Sequence, residues 1–157
     1  MGYLLGSIPV AYLVARSRGI GILEAGTRNP GAANVFRTVS RPLGVFVLGA
    51  DVLKGFAAVA AAGVLCVPEP IVAVAGAGCL VGHWYPLFLR FRGGTGLASA
   101  GGVIIGLSPV AGIIAAAVTL LRWYSCVTPV VLVALATSAF SSRAFSPLLG
   151  PPSPGPP

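Results

Sequence analysis

Long apolar blocks separated by short polar segments make up most of this chain. The blocks cover residues 1–15, 43–66, 71–89, 97–121 and 123–140. A helix needs about 20 apolar residues to cross the hydrocarbon core of a bilayer, where an exposed backbone must satisfy its own hydrogen bonds. The pattern therefore predicts an all-α fold, namely a polytopic transmembrane helix bundle of about five spans in the lipid bilayer.

The composition agrees with a membrane protein. Hydrophobic residues make up 56% of the 157 residues and charged residues only 8%, whereas about a quarter of the residues in a soluble domain are charged. The net charge of +7 comes from arginines in short loops beside apolar blocks. This arrangement is typical of membrane topology and not of nucleic-acid binding. The three cysteines are widely spaced in apolar segments, which indicates neither a disulfide framework nor a metal site.

The ends of the chain differ in character. Residues 1–146 are predicted to form one membrane domain, and the proline-rich residues 147–157 are predicted to form a disordered tail. The first apolar block is short and contains Pro9, so either its helix is short or the true start lies upstream. No basic n-region or cleavage site indicates a signal peptide. The oligomeric state is not indicated by the sequence.

The arginines predict the orientation of the spans. In a five-span topology all but one of them fall on one side, which the positive-inside rule places in the cytoplasm. The N-terminus is then outside, and the protein is a multi-pass protein of the inner membrane. Those cytoplasmic arginines are Arg16, Arg18, Arg28, Arg37, Arg41, Arg90, Arg92 and Arg143.

Residues 25–37, AGTRNPGAANVFR, form a polar, glycine-rich stretch that we call the first glycine segment. Glycines let backbone amides approach a ligand closely, and guanidinium groups add charge and paired donors that suit phosphate. The segment predicts an anion-binding cradle, although a basic loop required only by membrane topology is an equal alternative. The residues that indicate phosphate binding are Gly26, Arg28, Asn29, Gly31, Asn34 and Arg37.

Two further features accompany the later apolar blocks. Asp51 and Lys54 are three residues apart, so they share a helix face and can pair. Ionisable residues inside a span are costly and often functional, but a structural ion pair is equally compatible with the sequence. His83 is the only histidine and precedes residues 89–99, LRFRGGTGLAS, which we call the second glycine segment. This segment is either a second anion-binding loop or a flexible basic hairpin.

In the five-span topology both glycine segments reach the cytoplasmic face, where His83, Asp51 and Lys54 can join them. The resulting pocket would present basic side chains, hydroxyl groups and backbone amides at the lipid interface. Such a pocket suits a phosphorylated substrate on the water side and an acyl chain on the lipid side. The convergence predicts a single functional site.

Three ordered blocks resemble the bacterial membrane glycerol-3-phosphate acyltransferases that use acyl phosphate as donor. They are GSIPVAYL at 6–13, GTRNPGAANVFR at 26–37 with DVLKG at 51–55, and GHWYPLFLRFRGGTGLAS at 82–99. The first block alone favours helix packing through small residues, but all three blocks in this order are specific. The resemblance implies acyl transfer from acyl phosphate to the 1-hydroxyl of sn-glycerol 3-phosphate. The product would be lysophosphatidic acid for phospholipid biosynthesis, made without a cofactor or a metal.

The resemblance also implies roles for individual residues. The first glycine segment would hold a substrate phosphate, and the second would complete the cytoplasmic wall of the site. Orientation and preorganised donors would supply most of the acceleration. The predicted catalytic residues are Ser7, Thr27 and His83. The predicted phosphate-binding residues are Gly26, Arg28, Asn29, Gly31, Asn34, Arg37, Lys54, Arg92, Gly93, Gly94, Thr95 and Gly96.

Four departures from the family pattern distinguish this chain. Arg28 replaces a glycine, Ala33 replaces a threonine, and Thr95 replaces a lysine of that pattern. Residues 143–145, Arg-Ala-Phe, stand where the family has an Arg-His pair and a nearby Asn-Ile. The lost phosphate contacts favour an alternative, a catalytically degenerate paralogue that binds a phosphorylated lipid precursor or regulates an active relative. Arg28 is a candidate to replace the missing lysine charge.

Overall fold

The structure, a computed structural model, describes residues 1–115, 117, 118 and 121. Every regular element within this part of the chain is helical, which confirms the predicted all-α class. A 3-10 turn, Leu87–Leu89, follows the fifth helix, and residues 109–115 are also helical. The helices are α1 Gly2–Gly6, α2 Val10–Arg16, α3 Ala32–Thr38, α4 Arg41–Val64, α5 Glu69–Trp84 and α6 Leu97–Leu107.

Two stretches in the described residues are long and apolar enough to cross a membrane. They are Arg41–Val64, with a mean hydropathy of 1.8, and Glu69–Leu89, with a mean hydropathy of 1.5. Many of their large apolar side chains, such as Leu53 and Val74, are exposed, as expected of surfaces that face lipid. Both stretches agree within two residues with the spans predicted from the apolar blocks that begin at 43 and 71.

Local sequence explains where these two helices begin. The Ser40 hydroxyl caps α4 by accepting a hydrogen bond from the Leu43 amide at 3.3 Å, and Pro42 lies in the first turn. Pro70 occupies the same position in α5. Proline is favourable there because the first-turn amides have no partner within the helix.

The apolar blocks at 1–15 and 97–121 are not single helices. The first block forms α1 and α2, which are separated at residues 7–9. Pro9 lacks an amide hydrogen, and its ring disfavours helical backbone in the residue before it. In the other block α6 ends at Leu107, just before Pro109. The predicted span 123–140, the domain boundary at 146 and the tail 147–157 lie outside the described residues.

Small residues bring the helix backbones close together. A Cβ atom at Gly6 of α1 would overlap the carbonyl oxygen of Cys79 in α5. Similarly, a Cβ at Gly55 of α4 would overlap the Ser99 carbonyl oxygen of α6. Glycine-mediated approach of this kind is common between membrane helices, since lipid gives no hydrophobic drive for association. The Gly6 contact agrees with helix packing through small residues, which the first block favours when taken alone. The close approach also places polar residues of α4, α5 and α6 in one interior.

A separate apolar cluster supports the first glycine segment. Its fully buried members include Ile22, Val35 and Val47, and Ala11 and Ala15 of α2 pack with them. The cluster therefore anchors α2, α3 and the start of α4 beneath the segment.

Candidate active site

Four buried polar side chains form one cluster between α4, α5 and α6. Lys54 Nζ lies 2.8 Å from Asp51 Oδ1, and the same oxygen lies 3.8 Å from His83 Nδ1. Ser99 Oγ lies 3.1 Å from that nitrogen. All four residues are at most 8% exposed. Because water does not solvate these side chains, the charge of Lys54 is balanced by that of Asp51 inside the protein. The predicted Asp51–Lys54 pair is thus present, and it is joined to His83.

The break between α1 and α2 supplies a further partner for Lys54. Its ammonium group donates to the Ile8 carbonyl oxygen at 3.2 Å. That carbonyl lies beside Pro9, where the helix is interrupted and the backbone needs another donor. Asp51 and the Ile8 carbonyl oxygen engage two of the three N–H bonds of Lys54, which leaves one for a ligand.

Ser7 lies next to this break, at the end of α1. It is fully buried, and its hydroxyl donates to the Tyr3 carbonyl oxygen at 2.8 Å. A Cβ atom at Gly82 would lie 2.9 Å from the Ser7 amide nitrogen. Ser7 thus packs between α1 and α5, and its catalytic role stays a prediction.

Asn34 organises the first glycine segment from inside. Its Nδ2 donates to the carbonyl oxygens of Ile22, Ala25 and Asn29 at 3.2, 3.0 and 3.0 Å. Its Oδ1 accepts from the Thr27 amide at 3.1 Å, and the residue is only 2% exposed. The side chain is therefore used by backbone groups in and just before the segment, and its phosphate contact stays a prediction.

Several backbone amides of the first glycine segment are also engaged. Those of Thr27, Arg28 and Gly31 all donate to acceptors within the segment itself. The residues from Ala32 onwards are helix α3 and not loop. The predicted cradle of free amides is therefore not formed by these three groups, because the turns that make the segment compact use them.

Gly26 and Arg28 both have a left-handed backbone, with φ of 58° at each. A Cβ atom at Gly26 would overlap Asn34 Oδ1, so this position requires glycine. Arg28 carries a full side chain in the same backbone region at a cost of about 1 kcal/mol. This cost is a physical reason for the glycine that the family pattern has at position 28.

The arginines that are predicted to bind phosphate lie at the surface. Arg28, Arg37 and Arg92 are exposed, and none of them forms an ion pair with a described residue. Thr27 and Thr95 are exposed too. The structure thus separates a buried, neutralised cluster from surface cations that an anion can reach from water.

The second glycine segment is held against the end of α5. The Gly94 amide donates to the His83 carbonyl oxygen at 3.2 Å, and Trp84 Nε1 donates to the Thr95 carbonyl oxygen at 2.9 Å. A Cβ atom at Gly93 would overlap the His83 and Trp84 carbonyl oxygens. The amides of Gly93, Thr95 and Gly96 are among those that donate to no acceptor in the described part of the chain.

The two glycine segments meet at Gly94. A Cβ atom there would lie 2.6 Å from His83 Nε2 and 3.3 Å from both Asn29 Oδ1 and the Pro30 carbonyl oxygen. Any side chain at position 94 would therefore fill the space in front of the His83 ring. Asn29 Oδ1 is buried and has no hydrogen-bond partner in the described chain.

A small cavity brings the three sequence blocks together. Its volume is about 10 Å³, which is room for one water-sized group. Its lining includes Gly6 and Ile8 of the first block, Pro30 of the second, Lys54, and Gly94 of the third. This convergence agrees with the single site predicted from the sequence.

Two contributors were not among the predicted site residues. Ser99 hydrogen-bonds the histidine, and Trp84 fixes the second glycine segment. A serine within an apolar stretch and a tryptophan directly after the only histidine were the available signals. Neither signal indicates a partner without the fold.

These features define an integral membrane, all-helical protein in which two glycine segments enclose a buried Asp-Lys-His cluster. The sequence matches the glycerol-3-phosphate acyltransferase family over residues 1–149. The chain belongs to this family.

Relatives and solved structures support this membership. The glycerol-3-phosphate acyltransferase of Geotalea daltonii is 46% identical over 124 residues, which cover 77% of this chain and 64% of the relative. That of Geobacter metallireducens is 46% identical over 109 residues, covering 69% and 56%. The chain spans about three fifths of the length of such curated relatives.

Two crystal structures of PlsY (YgiH), an integral membrane glycerol 3-phosphate acyltransferase, are also similar. Its glycerol 3-phosphate form matches with a TM-score of 0.71 and 34% identity, over 78% of this chain and 62% of that one. Its lysophosphatidic acid form matches with a TM-score of 0.64 and 36% identity, over 72% and 56%.

Proposed function

We propose that this protein transfers an acyl group from acyl phosphate to the 1-hydroxyl of sn-glycerol 3-phosphate and releases lysophosphatidic acid and phosphate. Family membership and the two ligand forms of PlsY support the acceptor and the product. The observation that carries the proposal is the convergence of three sequence blocks on one cavity beside His83 and Lys54.

His83 acts as the general base in this mechanism. In the tautomer that this role requires, Nδ1 carries the proton and donates it to Ser99 Oγ at 3.1 Å, beside Asp51, and the neutral ring presents Nε2 as the acceptor. Nε2 takes the proton of the 1-hydroxyl while the hydroxyl oxygen bonds to the acyl carbon. The bond from that carbon to the phosphate oxygen breaks, and the proton passes to the departing phosphate. Asp51 stabilises the transient imidazolium.

The phosphate groups are held by donors from both glycine segments. The free N–H of Lys54 and the open amides near Gly94 face developing negative charge, and preorganised donors of this kind accelerate acyl transfer. Since Asp51 neutralises Lys54, the net positive charge comes from exposed arginines. Arg28 takes the role of the lysine that Thr95 replaces.

The same assignment implies a location and an orientation. The chain lies in the inner membrane with its N-terminus outside, and both glycine segments open to the cytoplasm, where glycerol 3-phosphate is present. The arginine count and the positive-inside rule support this orientation.

The test is acyl transfer by the purified chain in detergent, with palmitoyl phosphate and radiolabelled glycerol 3-phosphate. We expect lysophosphatidic acid from the parent, a loss of about a hundredfold in His83→Gln, and faster turnover in Thr95→Lys. Cys66→Ser is the matched control, since Cys66 is exposed beyond the end of α4. Folded protein that is silent with and without Thr95→Lys would favour the degenerate paralogue instead.

A further inference from the structure

Asn29 carries a buried oxygen atom with no hydrogen-bond partner among the described residues. Leaving a buried acceptor unpaired costs free energy, so such an atom in a native site calls for a ligand or a water. A side-chain carbonyl oxygen accepts hydrogen bonds and cannot donate them. Asn29 Oδ1 therefore matches a hydroxyl group and not the oxygens of a phosphate.

A second acceptor faces the same space. His83 Nδ1 lies against Ser99 and Asp51, whereas no described residue hydrogen-bonds to Nε2. Nε2 and Asn29 Oδ1 both lie within 3.3 Å of the point where a Cβ at Gly94 would be. The two acceptors are thus no more than about 6 Å apart, and two neighbouring hydroxyl oxygens with hydrogen bonds of about 2.8 Å can span that distance.

We propose that Asn29 Oδ1 and His83 Nε2 form a pair of acceptors for two adjacent hydroxyl groups of one ligand. The inference rests on the proposed function, in which that ligand is glycerol 3-phosphate. Its 1-hydroxyl donates to His83 Nε2, where the reaction takes place, and its 2-hydroxyl donates to Asn29 Oδ1. Asn29 then recognises the middle hydroxyl of the acceptor, and Gly94 leaves room for both groups.

The test compares two phosphates that differ only in the middle hydroxyl. Glycerol 3-phosphate and 3-hydroxypropyl phosphate are titrated into the full chain in detergent, and their dissociation constants are measured by calorimetry. We expect the parent to prefer glycerol 3-phosphate by about tenfold to a hundredfold, because the analogue leaves Asn29 Oδ1 unpaired. Asn29→Ala should weaken only glycerol 3-phosphate and bring the ratio close to one.

Two further variants sharpen the comparison. Asn29→Asp keeps an acceptor oxygen and should keep the preference, since its added charge affects both phosphates alike. Arg92→Ala, which removes an exposed cation, should weaken both ligands equally and leave their ratio unchanged. Equal binding of both ligands by the parent, or equal weakening of both by Asn29→Ala, would overturn the pair.

Binding and turnover separate this inference from the proposed function. A chain that prefers glycerol 3-phosphate but transfers no acyl group supports the acceptor pair and counts against the reaction. A chain that turns over without any preference overturns the pair alone. If neither phosphate binds to folded protein, both proposals are wrong.

Discussion

The two glycine segments have similar compositions but are ordered in different ways. In the first, Asn34 binds two carbonyl oxygens and one amide of the same segment, together with the carbonyl oxygen of Ile22 just before it, so the loop is held from within. In the second, the His83 carbonyl oxygen and the Trp84 indole hold the turn from outside. The first segment therefore carries its own shape, whereas the second takes its shape from α5.

This difference divides the chemistry between the segments. The first has used the amides of Thr27, Arg28 and Gly31 in its own turns, so it offers arginine side chains to an anion. The second leaves the amides of Gly93 and Thr95 open. The first segment thus presents guanidinium groups to the surface, and the second presents backbone donors together with the exposed Arg92.

The largest stability effect should come from the internal support of the first segment. Asn34→Ala leaves three carbonyl oxygens and one amide without their partner, and we expect a loss of about 3 kcal/mol or more in unfolding free energy. Equilibrium unfolding in detergent measures it. Asn34→Asp keeps the acceptor for Thr27 but loses the donors, so it should also be destabilised. Parental stability in Asn34→Asp would contradict this account.

The contact between the segments should be the most sensitive point for activity. In Gly94→Ala the new methyl group meets His83 Nε2 and Asn29 Oδ1, which displaces the base. We expect kcat/KM to fall by about a hundredfold. Gly101→Ala is the matched control, because a Cβ there has no atom within 4 Å. Equal activity in the two variants would show that the space at position 94 is unimportant.

Removing the external support should have a smaller effect. Trp84→Phe keeps the ring but loses the hydrogen bond to the Thr95 carbonyl oxygen. We expect about 1 kcal/mol of lost stability, together with a lower kcat/KM as the second segment loosens. The same stability as the parent, with unchanged kinetics, would mean that α5 orders the turn through its backbone alone.

The smallest expected effect is a gain in unfolding free energy, whereas the other variants lose stability or activity. Arg28→Gly removes a side chain from a left-handed position, and we expect a gain of about 0.5 kcal/mol after the greater freedom of glycine in the unfolded chain is subtracted. Gly19→Ala is the reverse experiment, because Gly19 has φ of 71° and open space around it. Affinity for glycerol 3-phosphate should fall in Arg28→Gly, and unchanged affinity would remove Arg28 as a substitute for the missing lysine.

Sequence patterns predicted the elements that depend on local information. The apolar runs predicted α4 and α5, and the three-residue spacing of Asp51 and Lys54 predicted their pair, because both follow from helix geometry. The contact of Ser99 with His83, and the placing of Asn29 next to Gly94, depend on how distant parts of the chain pack. Composition also gives no indication of whether a glycine-rich loop uses its amides internally, so the hydrogen bonds of Asn34 within the loop cannot be predicted from sequence.

The link between Lys54 and Ile8 also has a consequence for biogenesis. The two residues are 46 positions apart, so at 5–20 residues per second the ribosome delivers the lysine about 2–9 s after the carbonyl it binds. During that interval the backbone at the break between α1 and α2 has no donor from α4. The break therefore reaches its final hydrogen bonding only after α4 has been synthesised, so the packing of α1 and α2 is completed late relative to their own synthesis.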